Sequence, residues 1–215
     1  MRNQQKRDYD ASSRRAMNDL PMALRSSRLE LRPLDVRDAE FVKSLYADAR
    51  VTRTLLRIQG QITLTQACEF CQVSTTADGE HRFGAGLQTD GSLIAVGSVR
   101  WRAEQSDVAS IGYSVVPAFW GQGHGTEVAA LLVEFAAGRL GASEIRATTL
   151  DGNPASARVL EKVGFTAVEA GTSEIDSRGD ERRVTRWVLH RRSGQPQRAA
   201  EQQARADRLD AGRAA

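Results

Sequence analysis

Val115-Val116-Pro117-Ala118-Phe119-Trp120-Gly121-Gln122-Gly123-His124-Gly125-Thr126 joins an alternating, strand-like segment to a helical one. Three alternate glycines, Gly121, Gly123 and Gly125, remove the side chains that would keep an anionic ligand away from the backbone. The helix that follows offers unpaired N–H groups and the positive end of its dipole, so a phosphate or diphosphate is the natural occupant. The alternative is a glycine-rich loop that turns sharply into a helix and binds nothing.

Spacing narrows the ligand. A P-loop requires G-x-x-x-x-G-K-[ST], and the chain has no Gly-Lys pair. A dinucleotide fingerprint requires glycines at the first, third and sixth positions, but Thr126 stands at the sixth. The strand before the loop also belongs to an antiparallel meander, whereas that fingerprint belongs to a parallel βαβ unit.

Working outward, Arg28 to Arg32 alternates apolar and polar residues up to Pro33 and predicts a first strand. Asp35 or Asp38 can cap a helix with Phe41, Val42, Leu45 and Tyr46 on one face. Thr63 to Gln66 has capping-box spacing and opens a second helix. Arg82 to Gln88 and Ser92 to Trp101 form a hairpin across Asp90-Gly91, and Ser106 to Val116 is the next strand. After the loop, Gly125 to Leu140 is a helix stopped by Gly141, Glu144 to Leu150 a strand, and Asn153 to Val163 a helix closed by Gly164. Phe165 to Glu174 and Arg183 to His190 are two further strands, joined through the turn at Ser177 to Asp180.

The glycine loop resembles the coenzyme A-binding motif of GNAT acetyltransferases, [QR]-x-x-G-x-[GA], aligned on Trp120-Gly121-Gln122-Gly123-His124-Gly125. Trp120 replaces the usual Gln or Arg, as in the branch that resembles ribosomal-protein N-terminal (alanine/serine) acetyltransferases. About 30 residues on, Asn153-Pro154-Ala155-Ser156-Ala157-Arg158-Val159-Leu160-Glu161-Lys162-Val163-Gly164-Phe165 is similar to that family's N-x-x-S-x-x-[VL]-[LY]-x-K-x-G-F segment. Read from the residues alone, Asn153 is a helix cap with Pro154 at the first helical position and Ser156 is incidental.

The resemblance covers about residues 28–190. It implies an α/β fold of the α+β type: a mixed, mostly antiparallel seven-stranded sheet flanked by about four helices. It implies an acetyl-CoA-dependent N-acetyltransferase that moves an acetyl group to a primary amine by direct transfer in a ternary complex. The acceptor is then a protein N-terminus or an amine-bearing small molecule. Catalytic roles fall to Ser156 and Asn153, with Ser156 assisting thiolate departure. Acetyl-CoA is expected to contact Val115 and Val116 through their backbone, Gly121, Gln122, Gly123, His124, Gly125, Thr126 and Asn153. No metal is expected, and relatives of this kind commonly form homodimers. No general base stands out: Glu80, His81, Glu104, Glu174 and Asp176 border the expected acceptor groove but read as solvated loop residues, and His124 reads as facing solvent.

Composition agrees with one folded domain over residues 27–191, between a flexible extension (1–26) and a flexible tail (192–215). Hydrophobic residues make up 40% and charged residues 27%, ordinary for a globular chain of 215 residues. No apolar run reaches the length of a membrane span, which points to the cytoplasm. Residues 1–30 hold seven Arg/Lys against four Asp/Glu, and residues 190–215 six Arg against three acids, leaving 17 basic and 20 acidic residues between them. The basic excess thus lies in the tails rather than on a folded face, which argues against nucleic acid as a partner. Cys68 and Cys71 lack a second Cys/His pair at zinc spacing and read as reduced helix residues. The competing functional class is a non-catalytic coenzyme A- or nucleotide-binding sensor, with a dinucleotide oxidoreductase as a more distant third.

Overall fold

A computed structural model describes residues 23–58, 60–72, 79–101 and 107–191. The expected extension and tail therefore lie outside the described residues, apart from residues 23–26. Eight strands form one sheet: β1 (Leu24–Arg25), β2 (Leu29–Pro33), β3 (Glu80–Leu87), β4 (Leu93–Trp101), β5 (Val108–Val115), β6 (Glu144–Leu150), β7 (Thr166–Ile175) and β8 (Glu181–His190). Their spatial order is β1-β2-β3-β4-β5-β6-β8-β7, and every neighbouring pair is antiparallel except β5 with β6. The helices are α1 (Ala39–Ala47), α2 (Ala49–Thr52), α3 (Leu64–Gln72), α4 (His124–Glu134) and α5 (Pro154–Val163).

The expected mixed, mostly antiparallel architecture is present, with one more strand than the sequence indicates. Leu24 and Arg25 pair with Leu31 and Glu30, so the sheet reaches into the segment read as a flexible extension. Two residues are too short for an alternating pattern, and the pairing partner supplies the order. The helix expected up to Leu140 instead changes to a π-turn at Phe135–Arg139.

Local signals account for the rest. Leu29 and Leu31 of β2 are fully buried at alternate positions. Asp35 caps a 3₁₀ turn at Val36–Asp38, and the Asp38 carboxylate is gripped by Arg32 at 2.7 and 2.8 Å. Thr63 and Gln66 form the expected reciprocal cap of α3: the Thr63 N–H donates to Gln66 Oε1 (2.8 Å) and the Gln66 N–H to Thr63 Oγ1 (3.2 Å).

Two cores sandwich the sheet. α4 and α5 cover Phe83, Ile94, Val99, Ile145 and Trp187 on one face; α1 and α3 cover Leu34 and Val96 on the other. A Cβ at Gly97 would stand 3.0 Å from Leu132, so a bare strand position is what lets α4 settle against β4.

The feature that positions the site is the divergence of β5 from β6. They pair only at Val108 with Glu144, Ala109 with Ile145 and Ser110 with Arg146. Beyond that, β5 continues against β4 as far as Val115, and β6 against β8 as far as Leu150. The facing edges of Ile111–Val115 and Ala147–Leu150 are unpaired with each other, and a wedge opens between them.

Candidate active site

At the mouth of the wedge, Val115 leads into a 3₁₀ turn at Pro117–Phe119 and then the glycine loop. Gly121 and Gly123 have φ of +75° and +86°, a region that costs an L-residue about 1–2 kcal/mol. Thr126 and Glu127 donate their N–H groups to Gly123 O, at 3.0 and 3.2 Å. Among the described residues, no backbone carbonyl takes the N–H groups of Gly121 to Gly125. Those amides lie beside the N-terminus of α4, where the helix dipole favours an anion.

Three side chains hold the loop in this shape. Trp120 donates from Nε1 to Val115 O at 2.7 Å, and Gln122 donates from Nε2 to Ala118 O at 2.9 Å. Arg28 bridges the Glu127 carboxylate and Gln122 O, the latter at 3.0 Å, while the Ser26 hydroxyl donates to the same carboxylate at 2.6 Å. A Cβ at Gly123 would lie 3.3 Å from the Arg28 guanidinium, and one at Gly125 would lie 3.4 Å from Val159. Arg28 thus ties the loop to α4 through its ion pair with Glu127, a role its position at the edge of the first strand did not reveal.

His124 departs from its expected solvent-facing position. It is 5% exposed, with its ring edge-on to Phe119 at 5.7 Å and Nδ1 buried without a hydrogen-bond partner among the described residues. Burial, aided by Arg28, lowers its pKa. As the first residue of α4 it is turned inward by the same loop that presents its N–H outward.

The register of β4 and β5 decides which backbone groups face the wedge. The Val116 N–H donates to Ile94 O at 2.9 Å, so that amide points towards β4. Because bonding direction alternates along an antiparallel strand, Val115, Tyr113 and Ile111 turn their N–H and C=O groups towards β6. The expectation for Val115 rests on its N–H, since its carbonyl already accepts from Trp120 Nε1, whereas the Val116 N–H is committed to β4. Tyr113, two residues back, faces the wedge as Val115 does.

On the far side of the wedge, Asn153 caps α5: its Oδ1 accepts the Ser156 N–H at 3.1 Å, a contact worth about 1 kcal/mol. The Ser156 hydroxyl lies 3.0 Å from the Tyr113 hydroxyl. Burial raises the Tyr113 pKa to about 12, with the Ser156 hydrogen bond opposing it. One cleft of about 1360 Å³ is lined by Tyr113, Val115, Gly121, Gly123, Gly125, Thr126, Asn153 and Ser156; Val116, Gln122 and His124 do not line it. That is larger than the roughly 300–1,000 Å³ of a single-ligand pocket.

A family model described as an acetyltransferase (GNAT) domain matches residues 28–166. The chain belongs to the GNAT acetyltransferase family. Its sequence is 29% identical over 145 residues to YoaA of Bacillus subtilis (strain 168), an uncharacterized N-acetyltransferase, covering 66% of this chain and 81% of that protein. In fold it is similar to spermidine N-acetyltransferase from Vibrio cholerae, whose structure holds CoA and spermine, with a TM-score of 0.68 and 18% identity over 77% of this chain and 96% of that one. It is also similar to a proposed ribosomal-protein-serine acetyltransferase of Vibrio cholerae, with a TM-score of 0.67 and 17% identity over 80% of this chain and 98% of that one. GNAT enzymes use acetyl-CoA, and this chain is an acetyl-CoA-dependent acyltransferase. The bare glycine loop, its unclaimed amides and the wedge edge fit such a co-substrate.

The GNAT cleft continues across the sheet face that carries α1 and α3. There Glu80 lies between Arg82 and Arg100, 3.1 Å from each. The loop after α2 meets the turn before β8: the Ser177 N–H donates to Leu56 O at 3.0 Å, and Arg182 reaches Arg53 O at 3.4 Å. Of the expected groove carboxylates and histidines, Glu80 lines the cleft, but as a half-buried strand residue rather than a solvated loop one. His81 is 2% exposed on the opposite face, edge-on to Phe135 at 5.2 Å. Asp176 is buried and accepts the N–H groups of Arg178 and Asp180, and Glu174 pairs with Arg186. Glu104 lies outside the described residues. Among the described residues, no group of three or more His, Cys, Asp or Glu is placed to hold a metal. Cys68 and Cys71 are free on α3, and burial pushes the Cys71 thiol up to about 11.

Proposed function

We propose that the protein acetylates a primary amine by direct transfer within this cleft, with both substrates bound at once. The observation that carries the reading is the wedge itself: unpaired strand edges leading from the glycine loop to the Tyr113–Ser156 pair. Bound acetyl-CoA supplies an activated thioester and a thiolate leaving group. The N–H groups of Gly121 to Gly125 hold its diphosphate beside the α4 N-terminus, with the Arg28–Glu127 pair fixing the loop. The strand edge at Tyr113 and Val115 aligns the pantetheine arm as an added strand would be aligned.

The neutral amine forms its bond to the acetyl carbon as the carbon–sulfur bond breaks, and the ammonium proton leaves to water. A strand-edge N–H steadies the charge that develops on the carbonyl oxygen. With Tyr113 donating to Ser156 Oγ, the Ser156 proton is free to point at the departing sulfur. Burial keeps Tyr113 protonated for that task.

The acceptor is a protein N-terminus or a small-molecule amine, the two classes named for the Vibrio cholerae neighbours. The activity belongs to one cytoplasmic domain spanning residues 27–191, to which β1 adds Leu24 and Arg25. Thiol release from acetyl-CoA, followed with N-terminal peptides and aminated metabolites, tests it. The N153A/S156A double variant is expected to lose at least about tenfold in kcat/KM. Full activity in that variant would remove the assigned roles, and binding without turnover of any acceptor would favour the sensor reading.

A further inference from the structure

The charge on the acceptor side of the cleft is one-sided. Cross-strand pairing places Ser98 opposite Gly112 and Arg100 opposite Ser110, on the sheet face shared with Val96, α1 and α3. The floor there is small and polar, and its margins carry Arg50, Arg53, Arg57, Arg100, Arg146 and Arg182, with Arg82 behind them. Glu80 is the one carboxylate among the described residues that lines this half of the cleft.

Pairing does not cancel the excess. Glu80 is shared by two guanidiniums, so the Arg82–Glu80–Arg100 cluster keeps one positive charge. Its side chains are between 17% and 30% exposed, which weakens solvent screening. Arg82 also has its Nε buried without a hydrogen-bond partner among the described residues. Arg50, Arg146 and Arg182 are each matched once, by Asp48, Glu144 and Asp176. Arg53 and Arg57 line the cleft with no ion pair to a described residue.

Resting on the acetyltransferase reading above, we infer that the acceptor is an amine bearing an anionic group, a carboxylate or a phosphate, and not a polycation. An acceptor with further ammonium groups meets repulsion at Arg53, at Arg57 and at the Arg82–Glu80–Arg100 cluster, where the positive charge is not matched by an acid among the described residues. An anionic group finds planar, bidentate donors, whose geometry matches carboxylate and phosphate. The same field favours the reactive form of the nucleophile: like charge disfavours the ammonium, so the amine loses its proton more readily without a dedicated base. This accounts for a site in which, among the described residues, Glu80 between two arginines is the carboxylate on the α1 and α3 side of the cleft, and Asp151 lines it only on the α5 side.

The test uses the full chain in a thiol-release assay with acetyl-CoA and acceptors matched in size but not in charge. Acidic peptides with a free N-terminus and a blocked C-terminus are set against neutral and basic counterparts; β-alanine and phosphoethanolamine are set against uncharged amines and spermidine. The peptide and small-molecule arms distinguish the two sources of the anion. The expected kcat/KM for the anionic member of the productive pair is about tenfold or more above its neutral counterpart at low salt, with the advantage shrinking in high salt and spermidine lowest. The R53E/R57E variant is expected to reduce that preference several-fold while leaving the KM for acetyl-CoA unchanged, since neither arginine belongs to the glycine loop or the wedge. Transfer that is indifferent to acceptor charge, or fastest with spermidine, overturns this inference and leaves the acetyltransferase reading intact. Failure to acetylate any acceptor overturns both.

Discussion

The phenol of Tyr113 stands 3.0 Å from the hydroxyl of Ser156, so the strand bordering the wedge and the first turn of α5 meet through one hydrogen bond. In Y113F the ring stays and the bond goes. The expected result is a kcat about three- to tenfold lower, with the KM for acetyl-CoA changed less than about twofold. S156A is expected to lose more, about 10- to 100-fold in kcat. Steady-state kinetics on the two variants and their double mutant measure the coupling; additive losses would mean the two hydroxyls act independently.

Acid should destabilise the protein through His81. Burial holds its folded pKa at about 4, below the ordinary 6.5, so the unfolded chain takes up a proton that the folded protein rejects. The resulting penalty is absent above pH 6.5 and grows as the pH falls towards 4. H81F keeps an aromatic ring against Phe135 and removes the titration. Its melting temperature is expected to fall less than that of the parent protein between about pH 7 and pH 4.5.

Gly121 and Gly123 are held at positive φ beside the α4 N-terminus. G121A meets no neighbouring atom within 4 Å, so its cost is backbone strain alone. G123A adds a contact with Arg28 at 3.3 Å. Calorimetric titration is expected to show coenzyme A binding weakened about tenfold in G121A and more in G123A, the loss of strain energy being about 1–2 kcal/mol for the first.

Arg28 ties Gln122 O to the Glu127 carboxylate across the loop. R28A frees the loop and leaves the Glu127 carboxylate without its cation beside the proposed diphosphate site. The KM for acetyl-CoA is expected to rise several-fold with kcat little changed, and the loss to shrink at high ionic strength as that carboxylate is screened.

What the sequence made legible is what neighbours along the chain determine. The turn at Asp90-Gly91, the reciprocal cap of Thr63 and Gln66, the Asn153 cap and the glycine loop each depend on residues a few positions apart, and each stands where expected. Tyr113 was not legible because its partner is 43 residues away, and no local pattern marks a strand tyrosine as belonging to a site. Val115 and Val116 look alike in sequence; only the pairing of β5 with β4 tells which amide faces the wedge. The inward turn of His124 and the role of Arg28 likewise arise from contacts across the fold. The basic margin is not legible either, because its arginines come from five separate segments and a net count over residues 31–189 averages them against acids on other surfaces.

The separation of β5 from β6 makes this sheet two leaves, β1 to β5 and β6 to β8, fastened near one end by three residue pairs. Like a book held at its spine, the leaves gain mutual support from whatever is laid between them. Amide hydrogens at Ile111, Tyr113 and Val115 would then exchange with solvent quickly in the free protein and slowly once the opening is filled, and productive encounter with the amine would follow that stiffening rather than precede it.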